Sequence, residues 1–269
     1  MPFTFASYFL ITKISNMKKH IFPFLAMMTL LLASCHTAKE AHHHAHWSYA
    51  GETDPAHWAE LEKDAQCDGK HQSPINIIEK DVKPSNANNL VFHYSPQTKI
   101  KDAVNNGHSI QFNFDEGNFI YYNGKEYKLK QLHFHEGSEH TVNGIRYPIE
   151  MHLVHVSDDG QIAVVGVFGS EGTDSQLFEF FDKFLPIAVD EHKSIHQALD
   201  LKSFLPTNSA YYSYTGSLTT PPCSENVNWI VYKMPIVLSV DEVEQIRKEL
   251  PIRNYRPTQP LNGRTVYEN

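Results

Sequence analysis

Two short runs, His133-Phe134-His135 and Glu150-Met151-His152, set three histidines into stretches of strand character, and that pattern restricts the folds open to this chain. Side chains alternate along a strand, so His133 and His135 share one face of the first run; Glu150, His152 and Val154 share one face of the second. With Asn143-Gly144 in the turn between them, the runs pair antiparallel and the three imidazoles converge. Three neutral nitrogens without a fourth protein ligand describe a catalytic zinc site, because structural zinc sites are usually closed by four ligands, often including Cys. A lone His-x-His pair carries little, since 17 histidines in 269 residues bring chance pairs. The surroundings carry more. Gln131 shares the face of His133, and Glu150 that of His152, where each can fix a ring tautomer from behind. Glu139 and the loop Ser217-Leu218-Thr219-Thr220-Pro221-Pro222 add the carboxylate and hydroxyl that a metal-bound water requires.

Apolar alternation recurs in Ile110-Gln111-Phe112-Asn113-Phe114, Asn118-Phe119-Ile120-Tyr121-Tyr122 and the run 162–168, which read as strands. Helical pattern is sparse; the best stretches are 174–185, 194–201 and 241–250. The residues after 46 suffice for one sizeable core, and the fold class is mainly β (α+β) in a single domain, 46–269. No repeat, P-loop, Gly-x-Ser-x-Gly elbow or nucleotide fingerprint is present in the sequence.

From residue 46 onward the chain resembles the alpha-class carbonic anhydrases. The matching segments stand in that family's order: His46-Trp47-Ser48-Tyr49, Gln72-Ser73-Pro74-Ile75-Asn76-Ile77, Asn105-Asn106-Gly107-His108-Ser109, 131–135, Ser138-Glu139-His140-Thr141, 150–155, 216–222 and Asn254-Tyr255-Arg256-Pro257. The resemblance implies a central, twisted, mostly antiparallel sheet with small peripheral helices and the metal at the floor of a cone. It implies reversible hydration of carbon dioxide to bicarbonate and a proton by hydroxide on a zinc ion held by His133, His135 and His152. Thr219 would accept the hydroxide's hydrogen bond and donate its own proton to Glu139, beside an apolar substrate pocket of Val154, Val164, Leu218 and Trp229. His108 matches the family's proton shuttle, with Tyr49, Asn106, Gln111 and Thr220 organising the solvent between it and zinc. His140 and His155 lie off the ligand face and are read as structural, as are Arg256 and Asn254, the latter with a backbone contact to a ligand ring. Sulfonamides and inorganic anions are the expected inhibitors, and a homodimer is compatible with the family. Two departures stand out: Glu136 follows His135 where the family often has Trp or Thr, and the link between the ligand runs is short.

The amino-terminal end reads separately. Lys18, Lys19 and His20 precede an apolar run, Ile21 to Ser34, that fits a signal peptide and is too short to span a bilayer. Leu32-Ala33-Ser34-Cys35 resembles the bacterial lipobox, which makes Cys35 the lipidated mature terminus, and Met17-Lys18-Lys19 looks like the natural start, with 1–16 upstream of it. The expected division is signal 1–34, His-rich tether 35–45 and domain 46–269, exported and lipid-anchored in a bacterial envelope on the periplasmic side, with the outer membrane favoured. Removing Cys35 from three cysteines leaves Cys67 and Cys223, which family members with Cys at these places bridge; an oxidising compartment suits this. The tract Ala41-His42-His43-His44-Ala45-His46 is mainly a solvated linker, with zinc gathering as its other reading. Of 23 basic residues Lys13, Lys18 and Lys19 leave with the signal, so the mature chain has 20 against 31 acidic ones, which argues against nucleic acid as a partner. Two rival functions remain: a non-catalytic binding module, which would typically lack a ligand histidine, and a zinc-storage lipoprotein using the tract.

Overall fold

Period-two alternation builds a 13-stranded sheet. The computed structural model describes residues 47–61, 64–85, 90–208, 210–251 and 253–269. The expected signal, Cys35, the tether and His46 lie outside them, and no described helix is long and apolar enough to cross a membrane. The main strands are β1 Thr98–Asn105, β2 Ile110–Phe114, β3 Phe119–Tyr122, β4 Lys125–Glu136, β5 Ile149–Val156, β6 Ile162–Glu171, β7 His192–Leu199, β8 Tyr211–Ser217 and β9 Glu225–Tyr232. They lie in the order β7-β1-β2-β4-β5-β6-β9-β8, with β3 beside β4. Along this path every pair is antiparallel except the parallel β6–β9.

Each face of the sheet is claimed by a different core. Phe112, Leu132, Phe134, Met151 and Leu153 point into the larger one, which is closed by helix α1, Gln176–Asp182, and helix α2, Val240–Glu249. Ser239 caps α2 in a capping box with Glu242, satisfying orphan amides at the helix start. Val164, Trp229, Tyr214 and Phe168 fill the smaller core on the other face. Within β4 the register with β5 steps from Leu129 to Gln131 and skips Lys130. That irregularity exchanges the faces: Tyr127 and Leu129 are buried core residues before it, whereas Leu132 and Phe134 take that role after it. Gln131, His133 and His135 are thereby turned out of the large core and into the cleft.

Two expectations are corrected. The stretch 194–201 is not helical: residues 192–199 form β7, paired with β1 across an irregular register near Ile195 and His196. Ile195 and Leu199, the buried residues of β7, lie four apart and so imitate a helical stripe. Asn143-Gly144 does make a turn, with both residues at positive φ, but it joins the short strands Thr141–Val142 and Ile145–Arg146. That hairpin belongs to a separate three-stranded sheet inserted between the ligand strands.

Candidate metal centre and active site

Antiparallel pairing of β4 with β5 sets His152 opposite His133 and Glu150 opposite His135. The three rings pack with centroids 4.6 to 5.2 Å apart. One nitrogen of each faces an acceptor: His133 Nδ1 lies 2.8 Å from Gln131 Oε1, His135 Nδ1 2.5 Å from the Asn254 carbonyl, and His152 Nε2 2.9 Å from Glu150 Oε1. Those nitrogens therefore carry the protons, which leaves lone pairs on His133 Nε2, His135 Nε2 and His152 Nδ1. His135 Nε2 is buried without a hydrogen-bond partner. Ligand atoms of the three residues lie within 4.8 Å of one another. Burial, and then the neighbouring imidazoles, hold His133 well below the ordinary histidine pKa. Burial likewise lowers His135, only partly offset by Glu139. Both rings are thus neutral near pH 7, as metal ligation requires. The donor set, the orphaned nitrogen and the fixed tautomers fit a zinc ion, which His133, His135 and His152 would hold.

A second cluster, His140, Glu150 and His152, is already satisfied internally. His140 Nδ1 and its backbone N–H both donate to Glu150, and Tyr214 bridges His140 Nε2 to Ser73 Oγ. Burial alone would raise Glu150, but His140 and His152 hold it well below the usual carboxylate range, so it orients His152 as an anion. Gly166 stands opposite His152 on β6, where a Cβ would come within 3.0 Å of Glu150 Oε1. These contacts suit a structural role for His140.

Glu139 is buried beside the ligands, with Oε2 3.5 Å from His135 Nε2 and 4.0 Å from His152 Nδ1. Its Oε1 accepts the Arg256 backbone N–H at 2.9 Å. The hydrogen bond expected from Thr219 is not formed: Glu139 Oε2 is buried with no partner. Thr219 itself is buried in the loop after β8. Val154, Val164 and Trp229 stand side by side on β5, β6 and β9 because they are in register, and with Leu218 they form one apolar cluster. Trp229 lies 4.9 Å from the His152 ring, so this cluster adjoins the ligands.

Tyr49, Asn106, His108, Gln111, Gln131 and Thr220 line a cavity with His133 and His135 of about 110 Å³. Burial, and then the charge of Glu139, keep the Tyr49 hydroxyl protonated. Sequence reasoning gave Trp47 no role, yet its ring stacks on His108 at 3.6 Å. It also undervalued Asn254, whose side chain bonds the backbone of His108, Phe134 and Glu136. Only the quoted segment Asn254-Tyr255-Arg256-Pro257 hinted at these contacts. Glu136 is paired with Arg247 at 2.8 Å, which counters the extra acid beside the ligand strand. Cys67 and Cys223 form a disulfide.

His155 yields a prediction of its own. It is fully buried, accepts from the Tyr94 hydroxyl at 2.5 Å, and burial pushes its pKa down to about 4. An unfolded histidine titrates near 6.5, so below that pH the unfolded chain binds the proton and stability is lost until about pH 4. The loss amounts to about 3 kcal/mol. His155→Gln should flatten the pH dependence of the urea midpoint between pH 7 and 4 by that amount; an unchanged slope refutes the assignment.

An all-histidine, three-point cluster able to hold a metal ion, on a mostly β, mixed sheet with few helices, defines the class of protein. The sequence profile described as eukaryotic-type carbonic anhydrase matches residues 53–269, and the chain belongs to that family, the alpha-class carbonic anhydrases, which are lyases. It is 35% identical over 241 residues to a carbonic anhydrase of Pectobacterium atrosepticum, covering 89% of this chain and 97% of the relative. With a carbonic anhydrase of Nostoc it shares 37% over 250 residues, covering 91% and 94%. The alpha-carbonic anhydrase of Thermovibrio ammonificans, solved in complex with the inhibitor sulfanilamide, superimposes with a TM-score of 0.79 at 41% identity, covering 82% of this chain and 98% of that one. Carbon dioxide hydration is the activity this membership supports.

Proposed function

We propose that the chain hydrates carbon dioxide with zinc held by His133, His135 and His152. The observation that carries this is that ligand atoms of the three histidines lie within 4.8 Å of one another, while an acceptor on one nitrogen of each ring leaves the other with a lone pair. Zinc, when bound, lowers the pKa of a coordinated water toward neutrality, a property established for carbonic anhydrases. Gln131, the Asn254 carbonyl and Glu150 orient the ligands and raise their basicity. Carbon dioxide has no charge and no strong hydrogen-bonding group, which suits the cluster of Val154, Val164, Leu218 and Trp229. Glu139 Oε2 is the open acceptor beside the ligands, and Thr219 is the donor we assign to it, which leaves the Thr219 oxygen to accept a hydrogen bond from the nucleophile and so orient it. His108 takes the proton that hydration releases and passes it to buffer, through solvent ordered by Tyr49, Asn106, Gln111 and Thr220.

Stopped-flow carbon dioxide hydration tests the reading. A chelator should remove activity and stoichiometric zinc should restore it; activity that survives demetallation defeats the proposal. His108→Ala should lower kcat about tenfold or more while kcat/KM stays nearly constant, and added imidazole should rescue kcat, because the ring serves proton export alone. Equal loss in both parameters makes His108 structural. Sulfanilamide is expected to inhibit, as its complex with the Thermovibrio relative suggests. Export with lipid on Cys35 is part of the proposal and predicts membrane fractionation that Cys35→Ser abolishes.

A further inference from the structure

Behind β4, on the face opposite the three histidines, helices α1 and α2 leave a cavity of about 210 Å³ against the sheet. Its floor is aromatic and buried, built from Phe112, Phe134, Phe178 and Phe181. Its rim is acidic and exposed, with Asp174 and Glu179 on the α1 side, Asp182 at the end of α1, and Asp241 in the first turn of α2. No Lys, Arg or His lines it. Of the cations on or beside these helices, Arg247 pairs with Glu136 and Glu244, and Lys183 lies over the Phe180 ring. Glu242, which also lines the cavity, is committed to the backbone amides of Ser175 and Ser239. Gln245, with its amide turned to donate, bonds Asp182 across the mouth.

Apolar depth under a ring of carboxylates is complementary to one kind of small molecule. We propose that this cavity binds an apolar organic cation, an aromatic ring bearing a short alkylammonium arm. A cavity of about 150 Å³ is enough to hold benzene, so the volume here admits a ring with two or three further carbons. The ring meets the Phe faces and edges in the floor. Its ammonium then reaches the rim, where Asp174, Glu179 and Asp241 supply the counter-charge. A carboxylate of the same shape is repelled there, and a neutral alcohol forgoes the rim. Because Phe134 points away from His133 and His135, the site is distinct from the metal centre and does not depend on the proposed chemistry.

The test is a ligand-observed NMR titration of the zinc-loaded protein at low ionic strength with three probes of one shape: phenethylammonium, 2-phenylethanol and 3-phenylpropanoate. Phenethylammonium should bind at least fivefold more tightly than the alcohol, and the anion most weakly. The surface variant Asp174→Asn with Glu179→Gln and Asp241→Asn should erase the preference for the cation and leave the alcohol's affinity as it was. Ile246→Trp, which fills the cavity, should lose both ligands; if it does not fold, the surface variant decides alone. Equal binding of cation and alcohol by the native protein overturns the proposal, as does a preference that survives the surface variant, since the cation then sits elsewhere, the metal cleft included.

Discussion

His135→Ala should leave a folded protein that neither holds zinc nor hydrates carbon dioxide above background. Two imidazoles remain, His133 Nε2 and His152 Nδ1, and they cannot fix a tetrahedral ion against solvent. Loss of an outer partner typically costs 10–100-fold in metal affinity, so loss of a ligand should cost more than about 100-fold. Gln131→Leu supplies the graded comparison, because it removes only the acceptor that fixes His133. Zinc content after dialysis against a weak chelator and stopped-flow hydration read the two effects. Burial opposes charging of His133 and His135, so the apo-protein sheds stability on acidification below the ordinary histidine range. Removing His135 should therefore weaken the acid sensitivity of the apo form even as it ends catalysis. A variant that keeps full zinc and full activity would overturn the ligand assignment.

The grouping of His133, His135 and His152 was readable because strand alternation is local: three positions in each run specify which side chains share a face. Face identity within β4 was less secure, since the skipped Lys130 exchanges inside and outside midway along the strand. Counting by twos from Tyr127 would have set the histidines on the buried face. No residue pattern marks that irregularity; it becomes visible only when β5 lies alongside. Helical reading failed at β7 because its buried residues, Ile195 and Leu199, lie four apart, a spacing that one face of a strand and one face of a helix share.

Long-range backbone contacts leave still less trace. His135 is positioned by the carbonyl of Asn254, and Glu139 by the N–H of Arg256, and a peptide group has no sequence signature. Asn254 acts on both ends of the proposed reaction, through the His135 ring and the His108 carbonyl. Resemblance to a family supplied the backbone contact with a ligand ring but not the bond to His108. The bond from Thr219 to Glu139, also taken from resemblance, is the contact the structure does not make, although the Glu139 acceptor stands open for it.

Unfolding should expose the second large effect, that of the Cys67–Cys223 bridge. It joins residues 156 apart, and closing so long a loop in the unfolded chain is worth about 5 kcal/mol on the chain-entropy model. Native-state strain and residual unfolded structure reduce such values, and measured losses of native bridges run about 2–5 kcal/mol. Around it Trp58 is wholly buried, with Trp47 and Tyr49 packed alongside. The Cys223 N–H donates to the Thr220 carbonyl, and the Gln66 N–H to the Pro222 carbonyl, so the bridge also braces the loop of Thr219 and Thr220. Arg256 adds a bond to the Cys67 carbonyl from the segment that holds Glu139. Cys67→Ala with Cys223→Ala should thus lower stability by about 2–5 kcal/mol and Tm by roughly 5–20 °C. Reductant should reproduce that loss in the native protein and add nothing in the double variant. If urea unfolding shows equal midpoints with and without the bridge, then the short contacts around Trp58 and Arg256 hold this end of the fold unaided.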